Sequence, residues 1–226
     1  MKNIFRISGV IIIIILIQSC KKDEDSNIKI TDADGNVYTS VTIGTQVWMV
    51  ENLKTTKYRN GDLIGTTSPA TKDISGESTP KYQWAYEGNE SNVNTYGRLY
   101  TWYAVTDTRN VCPVGWHVPS DAEWTTLTTY LGGESVAGGK LKEAGTSHWI
   151  PSNEGATNSS GFTALPSGIR TTNGSYSSIG GYCAWWSSTE ESTPSAYHRY
   201  IGYDISNVGS YGYYKHYGFS IRCLRD

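Results

Sequence analysis

Four histidines, four cysteines and an adjacent pair of glutamates are the residues of this chain whose types could carry a reaction. His117, His148, His198 and His216 form no H-E-x-x-H and no i, i+4 pair, so no two imidazoles share a helix face for zinc. Glu190 and Glu191 are neighbours whose side chains diverge on a strand, which does not make a facing glycosidase pair. A G-x-S-x-G elbow and a glycine-rich phosphate loop are both missing. For an enzyme on this chain, His198 and Glu190 are the least implausible acid and base. The oxygens of Asp32-x-Asp34-Gly35-Asn36 suggest calcium, but the glycine falls too early for an EF-hand and no glutamate closes the loop. A tight hairpin turn is the reading there, and neither a metal nor a cofactor is expected.

No C-x-x-C spacing occurs among Cys20, Cys112, Cys183 and Cys223, which disfavours a zinc or iron-sulfur site built from cysteine. Cys183 follows glycines and precedes Ala184-Trp185-Trp186. With no basic neighbour to activate its thiol, it reads as a small apolar filler on a half-buried strand. The charges, 19 basic and 21 acidic, give a formal net charge of -2 and offer nucleic acid no basic patch.

The elements that position these residues are marked by local signals. Ser120 followed three residues later by Glu123 is a capping box. Pro119 stiffens the approach and Gly132-Gly133 ends the helix, while Trp124, Leu127 and Leu131 form one apolar stripe that must be buried. Val136 to Glu143 predicts a second short helix. Tyr96, Leu99 and Tyr103, with Trp102 beside them, are spaced for an earlier helix that Gly97 weakens. Asp34-Gly35-Asn36 predicts a hairpin between Ile28-Lys29-Ile30 and Val37-Tyr38. Val41, Ile43, Val47 and Met49 alternate around Gly44-Thr45 as a second hairpin, with Trp48 on the opposite face. Residues 60–94 read as a long loop with strand pieces, and Trp149-Ile150-Pro151 as a buried corner. Residues 152–160 read as a polar loop in which Asn153, Glu154 and Asn158 are candidate ligand contacts. Asn173-Gly174 and Gly180-Gly181 predict later hairpins, Tyr211 to Tyr214 begins a late strand, and Phe219 to Cys223 returns beside the first strand.

The N-terminus is a separate object. Lys2 and Arg6 precede an apolar run from Val10 to Ile17, too short for the roughly twenty residues a membrane span needs, so residues 1–19 read as a signal peptide. Ile17-Gln18-Ser19-Cys20 resembles a lipobox, which places a lipid on Cys20; an ordinary signal peptide with an incidental cysteine is the alternative. Residues 20–27 are a charged tether with too little apolar surface to pack. The tether resembles the signals that carry Bacteroidetes lipoproteins to the outer leaflet. The expected location is therefore the outer membrane, surface-exposed, with the membrane reached only through the lipid.

Six stretches occur in a family order: 32–55, YGRLYTWYAV at 96–105, CPVGWHVPSDAEW from Cys112, GFTALPSGIR at 161–170, WWSSTE at 185–190 and GFSIRCLRD at 218–226. In these the chain resembles the Fibrobacter succinogenes major paralogous domain over residues 28–226. That resemblance implies an α+β, C-type-lectin-like fold related to formylglycine-generating enzymes, with two helices packed on short twisted antiparallel strands in one loop-rich domain. Because Cys112 and Cys223 lie inside family motifs and Cys183 does not, it also implies a Cys112–Cys223 disulfide. Formylglycine-generating enzymes need two cysteines near the C-terminus, where this chain has Cys223 alone. Calcium lectins carry E-P-N or Q-P-D with W-N-D, where this chain has Trp186-Ser187-Ser188-Thr189.

The expected function is therefore a non-enzymatic binding module for an extracellular glycan or surface protein. Tyrosine and tryptophan dominate the aromatic residues, 17 and 8 against three phenylalanines. Tyr176, Tyr182, Trp185 and Tyr211 in the later hairpins are the expected exposed ligand contacts, since flat rings stack on sugars at low entropic cost.

Overall fold

The computed structural model describes residues 29–226. The expectations for the signal peptide, the tether and Cys20 lie outside the described residues. β1 (Ile30–Thr31) and β2 (Val37–Tyr38) form the first hairpin as predicted. Asp32 is its hub, because its carboxylate accepts from the N–H groups of Asp34 and Asn36, the Asn36 amide and the Tyr38 hydroxyl. β3 (Ser40–Ile43) and β4 (Gln46–Met49) pair around Gly44-Thr45 as the second hairpin. Trp48 does lie on the face opposite Met49, yet both residues are fully buried.

Residues 93–105 depart from the expected single helix. They form α1 (Val93–Tyr96), a strand at Leu99–Tyr100 and α2 (Trp102–Val105). At Gly97, with φ 76°, a Cβ would lie 2.6 Å from that of Asn52. The backbone passes too close to the Asn52 segment for a helix to continue. It extends instead so that β5 (Gln83–Trp84) and β6 (Leu99–Tyr100) pair antiparallel.

After β7 (Trp116–His117), α3 (Asp121–Tyr130) starts at the predicted capping box: Ser120 Oγ accepts from the Glu123 N–H and the Glu123 carboxylate accepts from the Ser120 N–H. Gly132 and Gly133 end it at positive φ, and Trp124, Leu127 and Leu131 are buried. α4 (Glu134–Leu141) follows, with two glycines where loops press on it. A Cβ on Gly139 would lie 2.3 Å from the Gly155 carbonyl oxygen, and one on Gly138 2.4 Å from that of Asn207. Because the obstacles are backbone atoms, Gly139→Ala is expected to cost roughly 2–3 kcal/mol in urea unfolding. Gly76→Ala, in open space, should change stability by less than about 0.5 kcal/mol. Equal effects of the two substitutions would refute the close-approach argument.

The larger sheet is built from β8 (Ser167–Arg170), β9 (Tyr176–Ile179), β10 (Tyr182–Ser192), β11 (Ser195–Gly202) and β12 (Gly209–Tyr214), in the order β12-β11-β10-β8-β9. Asn173-Gly174 turns β8 into β9 as predicted. Gly180-Gly181 does not make a hairpin: β10 crosses to the other side of β8 and pairs with it in parallel. Residues 211–214 end β12 and do not begin it.

β13 (Leu224–Arg225) lies between β4 and β7 in a second sheet, β3-β4-β13-β7. The C-terminal segment therefore returns beside the second hairpin and not the first. Ahead of β13, Phe219 bridges Tyr100, Ser220 bonds Ala184 and Trp186, the Ile221 carbonyl accepts from Leu53, and the Cys223 carbonyl accepts from Met49. One extended segment thus joins every sheet but that of the first hairpin. The Cys112–Cys223 disulfide pins it, as the family motifs implied. The fold is mainly strands with a few short helices, in keeping with the α+β class.

Long loops leave many carbonyls without partners in sheet or helix, and buried cations take them up. Arg170 donates to the carbonyls of Ala70, Lys72 and Thr171 and lies 3.9 Å from the Trp84 ring. Lys142 donates to Gly202 and Ile205. Arg59, although itself exposed, likewise gathers the carbonyls of Cys112, Pro113 and Trp116. Arg222, almost fully buried, gives Nε and Nη2 to the Asn52 amide oxygen and Nη1 to the Phe162 carbonyl, and stacks 4.2 Å from the Phe162 ring. Burial pulls the Lys142 and Arg222 pKa values down from their ordinary positions.

Candidate functional site

β12 is an edge strand, and its phase on β11 decides which of its groups face outward. Ser195 opposes Tyr214, Tyr197 opposes Gly212 and His198 opposes Tyr211. The Lys215 N–H donates to the Pro194 carbonyl, so the ladder bonds fall on residues 209, 211 and 213. Ser210 and Gly212 turn their N–H and C=O away from the sheet. Beside them Tyr211 is 67% exposed and Tyr214 59%. A shallow cleft of about 360 Å³ runs between Pro194-Ser195 and residues 211–214. Gly212 leaves room for Glu191: a Cβ there would lie 2.7 Å from its carboxylate. The edge therefore combines two open phenol rings, unpaired strand backbone and a nearby acid.

Of the four aromatic residues expected as ligand contacts, Tyr211 is the one that is exposed. Trp185 is fully buried, its Nε1–H given to the Asn52 amide oxygen at 2.8 Å and its ring packed on Trp124 and Phe162. Tyr182 stacks on Tyr200 with ring centres 5.4 Å apart, and burial raises its pKa. Tyr176 packs edge-on against Tyr86 and donates to the Ala70 carbonyl, and it too is raised by burial. The physical reason is that β10 is covered on both faces, so Cys183 to Trp186 are all buried. Asn153 is likewise buried, donating to the carbonyls of Glu143 and Gly145. Asn158 braces its own loop through Thr163; Glu154 is exposed.

A second feature lies beside α1, where sequence reasoning placed nothing. Two adjoining depressions, about 540 and 290 Å³, share Thr56, Glu90 and Arg98 and form one polar groove. Asn36, Lys54 and Asn94 line one end, and Ser68 and Gln83 the other. Asp34 shapes the first end: burial pushes its carboxyl up, but the Thr56 N–H and hydroxyl with Lys57 outweigh this and hold it below the ordinary carboxylate value. Arg98 is largely buried on the floor, with Nε given to the Lys54 carbonyl and Nη1 to Gln83. Both terminal nitrogens meet the Glu90 carboxylate, whose side chain is 68% exposed. The sequence signal for this site was Arg98 itself, the single charge in YGRLYTWYAV.

The titratable groups weighed for catalysis are spent elsewhere. Glu190 pairs with Lys215, and the buried His198 bonds the Tyr211 carbonyl through Nδ1 at 2.8 Å. No hydrogen bond joins Glu190 to His198. Burial lowers the His198 pKa to about 4. The unfolded value is near 6.5, so between these values the unfolded chain binds more protons. The stability from neutral His198 is complete above about pH 6.5 and is lost as pH falls toward 4, by roughly 3 kcal/mol at most. His198→Gln should flatten that part of the pH profile of the urea midpoint. A parallel decline in both proteins would show that other groups carry it. His117 lies between Asp226 and Glu123, His148 meets Glu143, and His216 meets the Glu77 carbonyl. Cys183 is buried, which pushes its thiol pKa up, as suits a filler and not a nucleophile. Among the described residues no cluster of three or more His, Cys, Asp or Glu side chains could hold a metal.

The match to known families covers residues 41–225 with the Fibrobacter succinogenes major domain. The chain belongs to this family. The family span takes in β4, α3, the large sheet and Cys112–Cys223, together with both candidate surfaces except the groove's Asp34, Asn36 and Val37. It starts inside β3, later than the motifs suggested, so the first hairpin precedes it although Ile30 and Tyr38 pack into the same core. No curated protein and no solved structure matches the chain.

Proposed function

We propose that this protein is a non-enzymatic binding or adhesion module, held at the outer-membrane surface by a lipid on Cys20, and that it takes an extracellular glycan or protein on the β12 edge. Its fold is assigned, on the same footing, to the C-type-lectin-like class, a reading supported by α3 packed on β10 and β11 with α4 beside it. The observation that carries the function is Tyr211 and Tyr214 exposed beside the outward backbone of Ser210 and Gly212. Rings of this kind bury area at little entropic cost, and an open strand edge offers hydrogen bonds in register to an extended partner. Among the described residues no helix is long and apolar enough to cross a membrane, in keeping with anchorage by lipid. The alternatives are an envelope enzyme on this scaffold and a structural assembly component.

The test is a glycan and peptide array probed with the full-length chain in detergent micelles, with and without calcium. Saturable binding that Tyr211→Ala/Tyr214→Ala removes, with the circular dichroism spectrum intact, supports the reading. Turnover of an arrayed compound, or binding indifferent to both tyrosines, contradicts it.

A further inference from the structure

We propose that the groove over Arg98 is a second binding site, for the carboxylate of an acidic saccharide of the uronate class, and that Glu90 occupies the guanidinium in its absence. Arg98 is anchored from below by the Lys54 carbonyl and Gln83, so its terminal nitrogens are fixed in place and face the groove. A fixed guanidinium fork matches a carboxylate in two parallel hydrogen bonds. The carboxylate now on it belongs to Glu90, at the start of a one-turn 3-10 segment, Glu90–Asn92, and is mostly in solvent. An exposed partner in high dielectric is held by little net free energy. A ligand carboxylate that brings further contacts can therefore replace it.

The rest of the lining selects the ligand. Lys54 has no carboxylate partner among the described residues, and its ammonium lies 5.9 Å from the Tyr38 ring centre. Displacing Glu90 leaves Lys54 and Arg98 as two cations facing one anion. Asn94 makes no side-chain hydrogen bond among the described residues, and Thr56, Thr66 and Ser68 add hydroxyls along the groove. Such a row of neutral donors and acceptors suits a polyhydroxylated ring. Apolar lining is confined to Val37, Val93 and small or buried side chains, which gives an acidic peptide nowhere to seat an apolar residue. This site stands apart from the tyrosine edge and does not depend on it.

The measurement is calorimetric titration of trigalacturonate into the full-length chain in detergent micelles. The methyl ester of the same trisaccharide and a short polyglutamate are titrated alongside. Wild type is expected to bind trigalacturonate saturably, and the ester and the peptide at least about tenfold more weakly, for loss of one charge-assisted pair. Glu90→Gln keeps the shape and removes the competitor, so it should tighten binding by about three- to fivefold. Lys54→Met should weaken binding by several-fold, and Tyr211→Ala/Tyr214→Ala should leave it unchanged. Melting curves of Glu90→Gln and Lys54→Met establish that both variants are folded. Equal binding of the ester or of polyglutamate, no gain in Glu90→Gln, no binding to either protein, or loss of binding in the tyrosine variant would each overturn the proposal.

Discussion

Cys112→Ser/Cys223→Ser is expected to lower the unfolding free energy by about 4–5 kcal/mol. The bridge closes a loop with 111 residues of sequence separation, and chain entropy for a loop near that length gives about 4.7 kcal/mol. For a domain of this size that corresponds to a fall in Tm of roughly 10–20 °C. Local structure argues in the same direction, since Cys223 lies in the segment that bonds β6, β10 and β4 in succession. Calorimetry of the variant, beside wild type with and without reductant, measures the effect. Cys183→Ala, outside the bridge, serves as the control and should cost about 1–2 kcal/mol, as expected for trimming a buried side chain. A loss under about 1 kcal/mol in the double variant would mean that sheet contacts alone fix the C-terminal segment.

The second large effect is expected at Arg222. Arg222→Met removes both donors to the Asn52 amide oxygen and the one to the Phe162 carbonyl. Trp185 still serves Asn52, but the Phe162 carbonyl loses a charged donor in the middle of the core. Two effects compete. Taking the guanidinium out of water costs several kcal/mol, and an apolar replacement recovers that cost. Against this stand three charge-assisted hydrogen bonds at about 1.5–3 kcal/mol each and stacking on Phe162 and Trp185. The bonds prevail, and a net loss of roughly 3–4 kcal/mol in urea unfolding is expected. Arg222→Lys keeps the charge without the fork and should still lose about 2 kcal/mol. A methionine variant as stable as wild type would show that the cation is tolerated there and not needed.

What could be read from the sequence was what neighbouring positions decide. Ser120 and Glu123 define the start of α3 within three residues, and Asp32 with Gly35 closes the first hairpin within six. Cys112 and Cys223 were paired through family motifs, not through spacing. The failures share a cause in distance. Gly97 breaks the expected helix because Asn52, 45 positions away, crowds its backbone. Trp185 looked like a ligand contact, yet the unbroken apolar run Cys183-Ala184-Trp185-Trp186 was the mark of a strand covered on both faces. Tyr211 is exposed as expected because β12 lies at the sheet edge, where no neighbouring strand covers it. Arg98 and Arg222 went unread as anchors because their partners, Glu90 apart, lie in distant segments. The Asn52 amide that holds Arg222 is 170 positions away.

The cations that gather loop carbonyls also say what this scaffold tolerates. Arg59, Arg170, Lys142 and the Nη1 of Arg222 grip main-chain oxygens, and every residue type presents the same oxygen. Stretches such as 70–72, 112–116 and 202–205 are thus fastened by a handle that does not depend on their own side chains. A gene duplicated many times could rewrite those stretches freely while each copy kept its frame, and the loops could diverge in what they meet.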